Sequence, residues 1–207
     1  MLPVFETELE TFRYKIDSLK NSSSASGPRR MILKGVGVNL ASQDNKWFAI
    51  DSLSKPFSDK EYHILSYAKE LKELQGIQQN YSQQIKNGTE ITFTSNKPVK
   101  LLVGYFKTQR TAFTRDTIFL KEPELETNAS ADDYGQAEIK ISNAVAVTGM
   151  PPVNIHAFNF NAGSHQLKLA KGVCLILGFV DGDQIIPVYD AMLTSDNKNR
   201  NVDWLFE

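Results

Sequence analysis

The side chains able to do chemistry are few and scattered. Three histidines, His63, His156 and His165, lie far apart with no HxH or HExxH spacing, so no pair shares one face of a helix or strand as a zinc site requires. Ser164 precedes His165, but a nucleophile needs a base and an orienting third group, and no such constellation is legible. Cys174 is the one cysteine and sits in the apolar run Val173-Cys174-Leu175-Ile176-Leu177, the setting of a small buried hydrophobe rather than a reactive thiol. It also leaves no internal disulfide. Asp132 and Asp133, within NASADDYG, offer oxygen ligands to a structural calcium or carboxylates to catalysis, while the plainer reading of adjacent acids there is a solvated turn. Spacing alone therefore assigns no catalytic residue and no cofactor, with Asp132 and Asp133 as weak calcium candidates.

The elements that would position such residues are set by patterning. At 207 residues and 41% hydrophobic content the chain has material for one sizeable core with an appendage. With 23 Lys+Arg against 24 Asp+Glu it lacks the electrostatic footprint of a nucleic-acid binder. No apolar run approaches the ~20 residues of a membrane span, and the N-terminus lacks the pattern of a signal peptide. Met1 followed at once by an amphipathic segment reads as a piece excised from a longer protein. Sequons occur at Asn21, Asn80, Asn87 and Asn128, as such tripeptides often do by chance.

Phe5, Leu9, Phe12, Ile16 and Leu19 place one apolar stripe on a helix over 1–20, able to dock on the domain, on a parent enzyme or on a copy of itself. Residues 21–28, rich in serine, read as a linker, leaving 29–207 as the folded domain. The clearest element there is GTEITFTSNKPVKLLVGYF, Gly88 to Phe106. Ile91 and Phe93 alternate with polar neighbours, Ser95 to Pro98 supply turn chemistry, and Val99, Leu101, Val103 and Tyr105 resume the period of two, which predicts a β-hairpin. Leu102 and Phe106 make the second strand apolar on both faces, an interior strand under a second layer.

Further short strands are predicted within Met31–Ile50, at Thr117–Leu120, Gln136–Val147, Val153–Phe160 and around Leu167 and Leu169, with Val173–Val180 central. Asp181-Gly182-Asp183 reads as a hairpin turn into Gln184–Tyr189, an edge strand because of Pro187. Many short strands joined by Gly, Pro and Asn turns predict an all-β sandwich or jelly roll. Ser58 to Gln84 reads two ways: Ser58 and Glu61 resemble a capping box before a helix, whereas Tyr62, Ile64 and Ser66 alternate as a strand does.

Over about Phe57 to Phe179 the chain resembles the galactose-binding-like jelly-roll modules attached to glycoside hydrolases and polysaccharide lyases. The matching positions are Asp59-Lys60-Glu61-Tyr62, then Leu71, Leu74 and Ile77, then Phe160, Gly163 and Leu167. The resemblance implies strand-loop-strand for the ambiguous segment and a hairpin before the last core strand. It further implies a non-catalytic carbohydrate-binding or bracing module, the C-terminal part of a glycan-degrading enzyme, a glycoside hydrolase, that is secreted, periplasmic or held at the cell surface. Its partners would be carbohydrate or a catalytic domain.

Sugar binding asks for an aromatic face against the apolar side of a pyranose ring and planar donors and acceptors for its hydroxyls. Loop-placed candidates are Trp47, Phe113, Tyr134, Gln109, Arg110 and Arg115. Trp47, beside Phe48 and Ile50, reads also as a core residue; Arg110 and Arg115 flank Phe113, to clamp a uronate carboxylate or only to line a solvated loop. Two rival readings stay open: a glycosidase using Asp132, Asp133, Glu126 and His156, and an adhesion module that self-associates through the helix over 1–20. The sequence leaves the oligomeric state open.

Overall fold

The computed structural model describes residues 31–41, 46–107, 118–123 and 139–194. The helix predicted over 1–20, the linker predicted over 21–28 and the loop predicted to carry Gln109, Arg110, Phe113 and Arg115 fall outside them. Among the described residues the fold is an all-β sandwich of two sheets. The smaller sheet has the order β1-β5-β9, with β1 at Asn39–Leu40, β5 at Thr89–Ser95 and β9 at Gly163–Leu169. The larger has the order β11-β7-β8-β6-β10-β4-β2, and β3 also pairs with β7. Its strands are β2 (Trp47–Ala49), β3 (Ile64–Tyr67), β4 (Gln75–Ile77), β6 (Val99–Phe106), β7 (Ile139–Val147), β8 (Val153–Phe160), β10 (Cys174–Asp181) and β11 (Tyr189–Asp190).

Alternation explains which strand goes where. On β5, Ile91 and Phe93 point inward while Glu90, Thr92 and Thr94 face outward, as a strand with one wet face must. β6 and β10 have almost no wet residue. Val99, Leu101, Val103 and Tyr105 of β6 face the smaller sheet, where Phe93 meets Phe160 edge-to-face at 5.1 Å and Phe179 at 4.6 Å. Leu102 and Phe106 face the opposite way, into a second core with Leu175, Leu177, Ile155, Leu71 and Leu74. The larger sheet curls to close over that second core, so its central strands are dry on both sides.

Three predicted hairpins are corrected. β5 and β6 do not pair: β5 bonds to β1 and β9, and β6 to β8 and β10, so Asn96 to Pro98 carries the chain from one sheet to the other. Likewise Phe160, Gly163 and Leu167 mark a crossing from β8 to β9 rather than a hairpin. The turn at Asp181 to Asp183 is present, closed by the Gln184 N–H on the Asp181 carbonyl, but the chain does not return along β10. It runs on to β11, which pairs in parallel with β7 at Ile141 and Ser142 and so lies at the edge that Pro187 favours. Phe119 makes a single parallel bridge to Val173, not a strand.

The ambiguous segment is strand-loop-strand, β3 and β4 joined through a 3-10 turn at Lys69–Leu71, and it ends in an additional short helix, α1, at Tyr81–Asn87. Asp59 does not start a helix locally; its carboxylate caps α1 from 22 residues away, accepting from the Tyr81 N–H at 2.7 Å and the Ser82 N–H at 3.0 Å. Tyr62 stacks with Phe57 and Tyr81, so the Asp59-to-Tyr62 motif is a clasp for α1.

Gly178 is required by geometry. Gly178 sits at φ +100° where the register of β10 against β6 slips between Ile176 and Gly178, and a Cβ there would collide with the Gln75 carbonyl oxygen. Gly178→Ala combines a left-handed backbone with a steric clash inside the sheet, and we expect it to lower stability by roughly 3 kcal/mol. Urea denaturation measures this; a loss below about 1 kcal/mol would mean the bulge relaxes without cost.

Candidate functional site

α1 is short, and its sequence shows what holds it. Asn80 is its N-cap, accepting from the Gln83 N–H at 2.9 Å, and Gly88 takes φ +84° at its C-terminal end. Between them Gln84 is buried and ties the helix to both sheets. Its Nε2 donates to Thr89 Oγ1 of β5 at 2.8 Å and to the Cys174 carbonyl of β10 at 3.1 Å, while its Oε1 accepts from the Cys174 N–H at 3.4 Å. β4 pairs with β10 at Ile77 and Ile176 and then turns away, so the side-chain amide of Gln84 occupies the place of a peptide group at the next position of the ladder.

Beside this anchor lies an open cleft of ≈ 480 Å³ with a lining rich in amide residues. Gln78, Gln79, Asn80 and Gln83 line it, with Ser58 on one side and the buried pair Gln84 and Thr89 at its base. Lys46 and Glu90 are its two charged lining groups, of opposite sign. Glu90 is engaged from the neighbouring strand by Gln166 and, at 3.9 Å, by Lys168. Planar amides of this kind exchange hydrogen bonds with hydroxyls.

A second polar group joins the buried His156 and Asn154 of β8 to the partly exposed Glu122. Glu122 Oε1 meets His156 Nε2 at 2.8 Å and accepts from Asn154 Nδ2 at 2.9 Å, and Asn154 Oδ1 accepts in turn from the Asn143 N–H at 3.0 Å. His156 is fully buried, with the Tyr105 ring edge-on at 5.0 Å. Burial pushes the Glu122 carboxyl upward, but the hydrogen bonds from His156 and Asn154, the His156 charge and nearby Lys107 outweigh it, and the net shift is downward. The Tyr105 hydroxyl is pushed well up, first by burial and then by the proximity of Cys174 and Glu122. Burial also drives the Cys174 thiol up to about 12, against hydrogen bonds from Thr89 and Gln84, which makes it the inert core residue its neighbours predict.

The predicted site residues divide sharply. Gln109, Arg110, Phe113, Arg115, Tyr134, Asp132, Asp133 and Glu126 lie outside the described residues. Trp47 is described and is no core residue: it stands 41% exposed on β2, at the edge of the larger sheet, next to Lys46 but not lining the cleft. His156 is fully buried and meets Glu122 at 2.8 Å. Among the described residues no group of three or more His, Cys, Asp or Glu is arranged to hold a metal ion, and no helix is long and apolar enough to cross a membrane. The amide cleft is not among the predicted sites, although the run Gln78-Gln79-Asn80, followed by Gln83-Gln84, is visible in the sequence.

Two consequences are measurable. Gln84→Ala removes partners from Thr89 and from both backbone groups of Cys174, and should cost about 2–3 kcal/mol in chemical denaturation; a change within about 0.5 kcal/mol would mean water takes over all three. Glu122 has a folded pKa below the ordinary glutamate value of 4.5, so its stabilisation is fully present above that value and disappears as pH falls through the lower folded value. The stability gap between wild type and Glu122→Gln should therefore be constant above about pH 5 and narrow below about pH 4. A gap that widens on acidification would reverse the assignment.

No protein-family model matches the chain, and no curated protein matches it. Among solved structures it is similar to a GH138 enzyme targeting pectin rhamnogalacturonan II, with 34% identity and a TM-score of 0.72. The similarity covers 90% of this chain and 21% of that enzyme. The chain thus corresponds to about a fifth of the length of a glycoside hydrolase.

Proposed function

We propose that the chain is a non-catalytic β-sandwich module of the galactose-binding-like kind, belonging to a larger exported glycan-degrading enzyme and engaging carbohydrate for it. The observation that carries this reading is the match of nine-tenths of the chain to about a fifth of a glycoside hydrolase at 34% identity. The share matched is the size of one domain, and the chemistry on the described surface is hydrogen-bonding amide rather than paired carboxylate.

A bracing role is the second reading, favoured by two residues. Leu53 and Met192 hold positive φ, a backbone conformation that costs ordinary side chains about 1 kcal/mol, and yet present apolar side chains 74% and 79% exposed. Both are carried by segments along one edge of β7: Leu53 bonds to Ile64 of β3, and Met192 follows β11. Apolar groups held out in this way are accounted for by a neighbouring domain that covers them.

Native gel electrophoresis through embedded pectic polysaccharides separates the readings. Retarded migration is the expected outcome. Unretarded migration with every polysaccharide, together with a raised melting temperature of an added catalytic portion, would replace binding by bracing. Release of reducing ends by the chain alone, lost in Asp133→Asn, would overturn the non-catalytic reading.

A further inference from the structure

The cleft beside α1 carries a more specific reading. Each of its four amides has one end committed, and the committed partner fixes which end remains. Gln78 Nε2 donates to the Lys55 carbonyl at 3.0 Å, and Gln79 Nε2 to the Ile77 carbonyl at 3.4 Å, leaving both Oε1 atoms as acceptors. Asn80 Oδ1 accepts from the helix backbone, and Gln83 Oε1 accepts from Asn87 Nδ2 at 2.7 Å, leaving Asn80 Nδ2 and Gln83 Nε2 as donors. None of these four remaining atoms has a hydrogen bond among the described residues. The four residues that line the cleft therefore carry two uncommitted acceptors and two uncommitted donors, beside Gln84 and Thr89, which satisfy each other.

Its electrostatics disfavour an anion. Lys46 is the cation of the lining and Glu90 offsets it, while Asp59, next to Ser58, adds a carboxylate at the start of α1. That helix start offers no anion site, because Asp59 takes the Tyr81 and Ser82 N–H groups and Asn80 takes that of Gln83. A vicinal diol, each hydroxyl both donor and acceptor, can use both kinds of free amide end; a uronate carboxylate, acceptor only, can use the two amide donors and Lys46 but leaves the two amide oxygens unmatched and faces Glu90.

We infer that this cleft binds uncharged, hydroxyl-rich sugar units and discriminates against uronates. The inference rests on the carbohydrate-engaging reading above and adds to it a location and a selectivity. Its selectivity differs from that expected of Arg110 and Arg115, whose guanidinium groups would favour an anionic sugar.

The test uses the whole chain, a neutral galacto-oligosaccharide, a neutral arabino-oligosaccharide and an oligogalacturonate, titrated while side-chain amide resonances are followed by NMR. The Asn80 and Gln83 NH2 signals should shift with at least one neutral probe, and oligogalacturonate should bind at least about tenfold more weakly at these groups. Gln79→Ala combined with Gln83→Ala, both away from the core, should weaken the neutral probe by roughly tenfold or more with the melting temperature unchanged. Lys46→Ala should leave neutral binding within about twofold.

Tighter binding of oligogalacturonate at these amides would overturn the inference. So would retention of neutral binding in the double variant, or unmoved cleft amides with every probe. Neutral binding that shifts resonances elsewhere would overturn the cleft alone and leave the module reading standing. Silence with all probes, coupled to thermal protection of a catalytic portion, would remove both in favour of bracing.

Discussion

β6 and β10 have almost no solvent-facing residue, and the arrangement of everything else answers that constraint. A strand apolar on both faces needs a layer above and a layer below. The three-stranded sheet covers one face of the larger sheet at Tyr105, Leu101 and Phe179, and the larger sheet supplies the other cover itself by curling until β3, the 3-10 turn and Leu33 close over Leu102 and Phe106. Lys100 tests the rule: it lies on β6 and yet reaches the surface, ending on the Gln184 carbonyl at 2.8 Å.

Dry strands create a difficulty at their ends, where ladder partners run out and backbone groups would be buried unpaired. Two polar devices meet it. Gln84 supplies an amide in place of a missing strand residue at Cys174, and the Glu122, His156 and Asn154 group satisfies its own buried members next to the Asn143 bend, where β7 takes a positive φ at +46°. β3 and β11 occupy the same edge of β7 on either side of that bend, which lets one strand serve the larger sheet and its curl together.

Much of this architecture was legible residue by residue. Period-two alternation identified the inward faces of β5 and β6, and the unbroken run from Val173 to Val180 identified an interior strand. Pairing was not legible at Ser95 to Pro98, because a hairpin and a crossing between sheets draw on the same turn residues. A usable signal did exist: β5 keeps a polar face and β6 has none, so the two belong to differently covered sheets. Trp47 was ambiguous because a short edge strand and a core strand look alike over three residues. The amide cleft escaped because its residues carry no metal affinity or nucleophile, and it exists only once α1 folds back against β5.

Gln84 leaves one further mark on the molecule. The helix that walls the cleft is bonded through this side chain to the backbone of Cys174, the chain's one thiol, which is enclosed and held protonated at neutral pH. The Gln84 and Thr89 side chains lie against the sulfur, so a reagent reaches it only through an opening of the fold, and the rate of thiol labelling reads how often the region around this anchor opens, with no engineered probe to disturb it.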